Sequence, residues 1–353
     1  MFQNFYKENK MKKLLNTLYI MNEKSYLTLD GENIVIKNEG KEVGRVPLHN
    51  LESIICMSYV GASPALMGKC AQNNIGLSFV KPTGQFMARI SGPSYGNILL
   101  RKQQYRISDD KDIAINYARN FILGKLYNSK SVVKRAVRDY AMRLDCDKLN
   151  SVCEHITEQI NNVKQASQID EIRGYEGEAA KEYFSVFDNL ILQQKQDFVF
   201  EKRSRRPPLD SVNAMLSFAY TLLENMCSSA LETVGLDPYA GFMHTDRPGR
   251  NSLALDLMEE LRTALADRFV LSLINKKVIK GNGFIRKEDG AVIMEKETRS
   301  KFISAWQSKK QETIIHPYLN EKVEWGMIPY VQALLLARAI RGDIDAYPPF
   351  FWR

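Results

Sequence analysis

One loop and the helix after it carry a histidine and three carboxylates at spacings suited to binding a cation. His244 lies in a segment that contains Gly and Pro, and Ser252 is placed to cap the helix that begins there. Glu259 and Glu260 follow Asp256 by three and four residues, so the three carboxylates share one side of that helix. Oxygen ligands suit the divalent metals that act on phosphate, and one imidazole suits Mn²⁺. The segment therefore predicts a metal site, with a hydrogen-bonded structural histidine as the alternative.

Another carboxylate, Glu176, lies on a predicted helix that begins near Gly174. It precedes Ala179, Ala180 and Tyr183 by three, four and seven residues and therefore shares their apolar face. A carboxylate on a face directed at the core costs several kcal/mol unless a cation or hydrogen-bond donors receive it. Glu176 is either part of a buried polar site or a hydrated side chain at the frayed start of the helix.

Cations concentrate before two prolines and beside the histidine. The run that precedes Pro207 holds four of them within five residues, namely Lys202, Arg203, Arg205 and Arg206. In a loop beside a metal site these side chains would neutralise several phosphates, whereas a charge run is otherwise a solvated connector. Arg247 and Arg250 lie in the histidine loop and either hold a phosphate or pair with Asp246.

The sequence disfavours three other chemistries. The remaining histidines, His49, His155 and His316, have no spacing typical of zinc ligands. No nucleophile-elbow motif supports acyl transfer. The glycine-containing segment 281–283 is short and precedes a hairpin rather than a helix, so it does not predict a phosphate-binding loop.

The composition is that of a folded protein with a basic surplus. The 353 residues include 49 Lys and Arg against 41 Asp and Glu, a net charge of +8, which favours a polyanionic partner. Charged residues make up 25% and hydrophobic residues 44%, which excludes a disordered or fibrous chain. At ~100–200 residues per domain, the length predicts about two domains.

Cysteine usage and hydropathy predict a cytoplasmic protein with no membrane association. The five cysteines are odd in number and form no Cys-x-x-Cys motif, as expected of buried thiols in a reduced compartment. No apolar run approaches the ~20 residues that span a bilayer. The stretch 14–21 is interrupted by polar residues and no cleavage site follows it, so we predict no signal peptide.

The chain contains a region with the residue pattern of strands, followed by a region with the periodicity of helices. Residues 14–90 alternate in the pattern of strands, with turn signals such as the Asp-Gly pair at 30–31, and a short helix at 63–74 interrupts them. After about residue 108 helical periodicity dominates, and a hairpin at 284–294 is the clear β signal. The predicted helices of this region are 109–126, 129–144, 152–166, 174–192, 210–234, 252–274 and 329–340.

These patterns predict an α+β fold in which a small, mostly antiparallel β domain precedes a larger all-α domain. The predicted boundaries are 1–100 for the β-rich domain, 101–108 for a polar linker and 109–353 for the helical domain. Glu176 and His244 both fall in the helical domain but far apart in sequence. Helix packing must therefore bring them together if they share a site.

Three long stretches, in this order, resemble the CRISPR-associated spacer-acquisition integrases, the Cas-one family. They are Arg-Gly-Tyr-Glu-Gly-Glu-Ala-Ala-Lys-Glu-Tyr-Phe at 173–184, the stretch beginning Pro-Pro-Leu-Asp-Ser-Val-Asn at 207–223, and the histidine loop with its helix at 241–262. The C-terminal Tyr-Pro-Pro-Phe-Phe-Trp-Arg at 347–353 is similar to the ending of the type I, subtype C branch. The order of a β-rich and then a helical domain also fits, so the resemblance covers essentially the whole chain.

The resemblance implies a metal-dependent DNA endonuclease and integrase that inserts short foreign DNA fragments into a CRISPR repeat array. The family's metal-binding glutamate matches Glu176, and its histidine matches His244. The third ligand matches Glu259 best; many relatives have Asp there, so Asp256 and, less so, Glu260 stay open as alternative or additional ligands. The metal implied is Mn²⁺ or Mg²⁺, and the implied catalytic residues are Glu176, His244 and Glu259.

The implied reaction is attack by a 3′-hydroxyl of the fragment on a phosphodiester at a repeat end, with water replacing it in endonuclease cleavage. Double-stranded DNA would be held through its phosphates, and the candidate side chains are Arg203, Arg205, Arg206, Arg247 and Arg250. The family also implies a homodimer through the β domain and a small ferredoxin-like partner subunit. Two other functions stay open from the residues: a metal-dependent phosphoesterase of another nucleic-acid pathway, and a non-catalytic DNA-binding scaffold.

Overall fold

A computed structural model of the chain describes residues 17–20, 22–51, 53–58, 60–73, 75–80, 86–90 and 98–352. The chain divides into two compact units, Met1–Pro93 and Ser94–Arg353. The first residues of the predicted strand region, 14–16, and the last residue of the C-terminal motif, 353, lie outside the described residues.

The first unit contains two sheets and a short helix. Its described elements are β1 (Thr17–Ile20), β2 (Ser25–Asp30), β3 (Asn33–Asn38), β4 (Lys41–Pro47), β5 (Ser53–Cys56), α1 (Pro64–Gln72), β6 (Gly76–Val80) and β7 (Phe86–Ile90). Strands β2, β3 and β4 form an antiparallel meander. The other sheet has the order β1–β5–β6–β7, in which β6 and β7 are antiparallel and the other two pairings are parallel. Parallel neighbours need a crossover, which α1 supplies between β5 and β6.

Local sequence explains these elements. Gly31 has a φ of +57°, a backbone conformation that favours glycine, and it turns β2 into β3. The hydroxyl of Ser63 accepts a hydrogen bond from the N–H of Leu66, and Pro64 opens the helix, so α1 begins where the sequence predicts. Fully buried side chains form the core, among them Leu27, Ile34, Leu48, Ile54, Leu66 and Leu77. The predicted β-rich region is confirmed.

The second unit is helical, with two short hairpins. Its helices are α2 (Ile98–Asp109), α3 (Lys111–Tyr140), α4 (Cys146–Gln165), α5 (Ile169–Ser185), α6 (Ser211–Thr233), α7 (Ser252–Leu261), α8 (Arg268–Asn275), α9 (Lys296–Gln311) and α10 (Ile328–Arg341). The hairpins are β8 (Phe284–Arg286) with β9 (Val292–Met294), and β10 (Thr313–Ile315) with β11 (Lys322–Glu324). The α+β prediction and the hairpin at 284–294 are confirmed. Within the described ranges, no helix has the length and apolarity needed to cross a membrane.

The predicted linker at 101–108 is wrong, because these residues belong to α2. One face of this helix is buried through Leu100, Gln104 and Ile107. The amide of Gln104 donates a hydrogen bond of 2.7 Å to the backbone carbonyl of Asp237, within the same unit. Most of residues 101–108 are charged or polar, which gives the segment the composition of a linker.

Helix α3 is the central element of the second unit. It packs against α4, α5 and α7, and its buried residues include Ala118, Phe121, Ile122, Leu126 and Val133. At Gly124 the two helices α3 and α7 approach closely: a Cβ there would lie 2.8 Å from the Cβ of Glu260. Glycine is therefore what allows α3 and α7 to pack at this distance.

Helix α7 continues into α8 through a π-helical segment, Arg262–Asp267. A π-helical turn adds a residue to the helix and is found frequently at functional sites. Here Nη2 of Arg262 lies 3.0 Å from Oε1 of Glu259, and the hydroxyl of Tyr220 donates to Oδ1 of Asp267 at 2.6 Å. The segment thus connects α7, which carries the three acids, to a second set of buried polar groups.

Candidate metal centre

Glu176, His244 and Glu259 come from two helices and a loop and meet at one point of the second unit. Glu176 lies on α5, Glu259 lies on α7, and His244 lies on the loop that precedes α7. Both carboxylates contact the same lysine ammonium group. Nε2 of His244 lies 4.0 Å from Oε1 of Glu259. Each of these three side chains was a candidate ligand from the sequence.

Glu176 lies well inside its helix. Helix α5 begins at Ile169, where the N–H of Gln168 donates to the carboxylate of Glu171. The predicted start near Gly174 is therefore about a turn too late. The side chain of Glu176 is 21% exposed, so the interpretation of a hydrated side chain at a frayed helix end is wrong.

Lys125, on α3, is a site residue that the sequence reasoning missed. Its Nζ lies 2.7 Å from Oε2 of Glu259 and forms a hydrogen-bonded ion pair with Oε1 of Glu176. Burial opposes the charge of Lys125, but Glu259 and Glu176 outweigh it and raise its pKa. The signal was its position in a buried helical stretch with Phe121 and Leu126, because a buried lysine requires carboxylate partners.

Asp256 holds the imidazole of His244 and the loop around it. Nδ1 of His244 donates to Oδ1 of Asp256 at 2.6 Å, which leaves Nε2 as the nitrogen with the unshared electron pair. Oδ1 also accepts from the N–H of His244, and Oδ2 accepts from the N–H groups of Phe242 (2.7 Å) and Met243 (2.9 Å). Both oxygens are engaged and Asp256 is fully buried. The geometry therefore makes Asp256 an orienting group and does not support it as a metal ligand.

Two further residues fix the histidine loop. At Gly241 a Cβ would lie 2.7 Å from the Cβ of Ser252 and 3.0 Å from Oδ2 of Asp256, so the loop lies directly on the start of α7. The guanidinium of Arg173, on α5, donates a hydrogen bond to the carbonyl oxygen of Met243. The loop is thus tied to both of the helices that carry the candidate carboxylates.

Glu259 is ionised in spite of its burial. Its side chain is 4% exposed. Burial disfavours the charged form, but Arg262 and Lys125 outweigh it and lower the pKa of Glu259 to about 2. Oε2 contacts Lys125 without an aligned hydrogen bond. Glu259 therefore presents an ionised carboxylate to the candidate site.

Glu260, the adjacent acid, has none of the partners of Glu259 among its hydrogen bonds. It accepts hydrogen bonds from the hydroxyl of Tyr347, the amide of Gln332 (2.9 Å) and the N–H of Phe350 (2.7 Å). Burial raises the pKa of Glu260 to about 7, although these donors act in the opposite direction. Glu260 therefore anchors the C-terminal segment to α7. This structural role explains a carboxyl group at this position without a metal.

The donor set fits a hard divalent ion. Among the residues that the structure describes, no three His, Cys, Asp or Glu side chains are arranged at ligand distances, because the ammonium of Lys125 lies between Glu176 and Glu259. Lys125 nevertheless links Glu176 to Glu259, and Nε2 of His244 lies 4.0 Å from Oε1 of Glu259 while Nδ1 is bonded to Asp256. Two carboxylates and one imidazole suit Mn²⁺ or Mg²⁺ better than zinc.

One of the five predicted phosphate-binding arginines has partners within the protein, and the other four have free guanidinium groups in the part of the chain that the structure describes. Arg203 donates to Oδ1 of Asn213 (2.6 Å) and to the hydroxyl of Ser217 (3.2 Å), and its guanidinium lies 5.3 Å from the ring centroid of Tyr220. Burial lowers its pKa. The guanidinium of Arg203 is therefore held by partners within the protein, which does not favour its predicted role in binding DNA.

The other four arginines have free guanidinium groups. Arg205, Arg206 and Arg247 are exposed and Arg250 is half-buried, and none forms a side-chain hydrogen bond or ion pair with any residue of the described ranges. Arg205 also lines a small cavity beside the site, together with Lys125, Tyr220, Arg262 and Asp267. Arg205 thus shares a cavity with Lys125, which contacts two of the candidate ligands.

The fold and the site define a two-unit α+β protein whose helical unit carries a centre of two carboxylates and a histidine. The family model described as CRISPR associated protein Cas1 matches residues 18–308. The chain belongs to the Cas1 family.

Individual relatives agree with this assignment. The CRISPR-associated endonuclease Cas1 1 of Chlorobaculum tepidum is 48% identical over 343 residues, which cover 97% of this chain and 100% of the relative. A casposase bound to integration product has a TM-score of 0.81 at 24% identity and covers 95% of this chain and 93% of its own. A Cas6-RT-Cas1–Cas2 complex also has a TM-score of 0.81, at 20% identity, with coverage of 97% of this chain and 36% of that one. The two solved structures show a shared fold.

Proposed function

We propose that this Cas1 protein is a metal-dependent DNA endonuclease and integrase, which inserts short foreign DNA fragments into a CRISPR repeat array by strand transfer. The convergence of Glu176, His244 and Glu259 on one point carries the proposal. It occurs in a chain that is 48% identical to a relative named as an endonuclease. The C-terminal motif at 347–353 supports a place in type I, subtype C.

Glu176, Glu259 and Nε2 of His244 would hold one Mn²⁺ or Mg²⁺. Such an ion polarises a phosphate oxygen and stabilises charge on the attacking and leaving oxygens. Asp256 fixes the tautomer and direction of the imidazole, because its Oδ1 accepts a hydrogen bond from the Nδ1–H of His244. Arg262 holds Oε1 of Glu259 and so sets the direction of that carboxylate.

The nucleophile comes from the DNA or from water rather than from the protein. In strand transfer a 3′-hydroxyl loses its proton and forms the new P–O bond, while the bond to the 3′ oxygen of the repeat breaks and that oxygen takes a proton. The free arginines Arg205, Arg206, Arg247 and Arg250 would hold phosphates on either side. Contacts to phosphate do not read sequence, which suits fragments of arbitrary origin.

We infer that the chain works as a homodimer with a small ferredoxin-like partner. One structural relative is a complex that includes Cas2. In the first unit, β4 is an edge strand of its three-stranded sheet as described, and Val43 on this strand is 58% exposed. An edge strand offers unpaired backbone groups to another chain. These features support the first unit as the dimerisation surface.

A strand-transfer assay tests the proposed site. The reaction contains a repeat-bearing plasmid, a short duplex, the purified partner subunit and Mn²⁺. We expect Glu176→Ala, His244→Ala and Glu259→Ala each to abolish strand transfer while the unfolding transition stays cooperative. Glu178→Ala is the matched control, because this glutamate is exposed on the same helix α5.

The same assay separates the other functions. Strand transfer that persists in any of the three variants removes that residue from the mechanism. Hydrolysis of RNA or single nucleotides with no action on DNA indicates a phosphoesterase of another pathway. DNA binding with no reaction, and no difference between EDTA and Mn²⁺, indicates a scaffold.

A further inference from the structure

Lys125 lies where the two carboxylate ligands meet. Its side chain is 11% exposed, and its Nζ contacts both Oε1 of Glu176 and Oε2 of Glu259. The two glutamates belong to different helices, α5 and α7, while Lys125 belongs to α3. One ammonium group therefore joins three helices at the candidate site.

Two cations face the two candidate carboxylates. Glu176 and Glu259 contribute two negative charges, and Lys125 and Arg262 contribute two positive charges, with Arg262 3.0 Å from Oε1 of Glu259. A coordinating imidazole is neutral and adds none. Two carboxylates at this burial would repel each other strongly without the cation between them.

We infer that Lys125 is a positioning residue that occupies the place of the metal: its ammonium holds Glu176 and Glu259 together before the metal binds and competes with the metal for them. The inference rests on the proposed metal site. Lys125 contacts one oxygen of each carboxylate that would coordinate the ion, so both cations require the same two groups. Metal binding must displace the ammonium from at least one of them.

This role has two consequences of opposite sign. Without Lys125, the metal-free protein keeps two buried carboxylates close together with only Arg262 to neutralise them, so its stability falls. The metal, however, no longer competes with a bound cation or suffers its repulsion, so its affinity rises. A lysine that merely supported the fold would lower both stability and metal affinity when removed.

Neutral variants of Lys125 test the inference. Mn²⁺ is titrated calorimetrically into the metal-free full chain of the wild type, Lys125→Met and Lys125→Gln, and thermal unfolding is measured in EDTA. We expect both variants to bind Mn²⁺ at least about tenfold more tightly than the wild type and to unfold at a lower temperature without metal. Two controls keep the wild-type affinity within about threefold: Lys125→Arg, which retains the charge, and Lys134→Met, which changes an exposed lysine of α3.

Weaker or unchanged Mn²⁺ affinity in Lys125→Met and Lys125→Gln overturns the inference. If Lys125→Met is unfolded in EDTA, recovery of the cooperative transition on addition of Mn²⁺ supports it, and no recovery in either variant overturns it.

Glu259→Ala distinguishes this inference from the proposed function. Mn²⁺ binding that is present in the wild type and lost in Glu259→Ala, with no tightening in the Lys125 variants, rejects the role of Lys125 alone. Equal absence of Mn²⁺ binding in the wild type and in Glu259→Ala rejects the metal site itself.

Discussion

At the scale of single residues, three acids on one helix bind three different sets of partners. Asp256 binds loop amides and His244, Glu259 faces two cations, and Glu260 binds the C-terminal segment. Helical spacing predicted that all three share one side of α7, and the resemblance selected Glu259. Spacing alone could not separate them, because their partners come from distant segments. For the same reason Lys125 was missed: nothing local connects it to Glu176, 51 residues away.

Asp267 gives a residue-scale prediction about pH. It is 1% exposed, and burial raises its pKa to about 6, well above the ordinary value of 3.8. The folded state therefore binds this proton more tightly than the unfolded state, so the contribution of Asp267 to stability is greatest below pH ~4 and is lost as pH rises to ~6. We expect Asp267→Asn to remove this loss, so that its free energy of unfolding relative to the wild type improves by up to about 3 kcal/mol from pH 4 to pH 7.

Urea denaturation across this pH range measures the difference. Asp246→Asn is the control, because Asp246 is exposed in the histidine loop. If the free energies of unfolding of the wild type and Asp267→Asn differ by the same amount at every pH, the raised pKa of Asp267 is contradicted.

At the scale of elements, a largely apolar helix was predicted well and charged helices were not. Helix α6, apolar over most of its surface, was predicted at 210–234 and is observed at Ser211–Thr233. Helix α2 was interpreted as a linker, and α9 was not predicted, because lysine, arginine and glutamate obscure the few buried positions of each. Two predicted helices, 109–126 and 129–144, are the single helix α3, since no helix-breaking residue separates them.

Gly241 gives an element-scale prediction about the loop on α7. A methyl group at Gly241 would lie 2.7 Å from the Cβ of Ser252, at the start of the helix, where backbone atoms must give way. We expect Gly241→Ala to move the loop, disturb the bond between His244 and Asp256, and lower strand transfer at least about tenfold. Overpacking of this kind costs about 1–3 kcal/mol of stability.

Gly177→Ala is the matched substitution, because Gly177 is exposed on α5 with no atom within 4 Å of its added methyl group. It is expected to be neutral or to stabilise the helix by up to about 1 kcal/mol. Strand transfer and urea denaturation are measured on both variants. Wild-type strand transfer by Gly241→Ala would show that the loop tolerates the displacement.

At the scale of the whole molecule, the net charge of +8 predicted a polyanionic partner, but charge alone did not show which cations face it. Arg203 and Arg205 are two residues apart in one basic run, and the structure directs Arg203 into contacts with Asn213 and Ser217 and leaves Arg205 free. A run of like charges in a loop has no periodicity from which inward and outward positions could be predicted.

The salt dependence of DNA binding therefore separates the two kinds of arginine. Contact with six or more phosphates predicts a loss of affinity of about 10³ or more between 50 and 200 mM salt. We expect Arg205→Ala and Arg206→Ala each to lower the slope of log K against log salt by about 0.9, because each removes one phosphate contact. Arg203→Ala should instead leave the slope unchanged and cost about 1–3 kcal/mol of stability, because the partners of Arg203 lie within the protein. Fluorescence anisotropy with a labelled duplex measures the salt slope, and urea denaturation measures the loss of stability.

A reduced slope in Arg203→Ala would show that this guanidinium leaves Asn213 to bind DNA. Unchanged slopes in Arg205→Ala and Arg206→Ala would place the phosphates elsewhere.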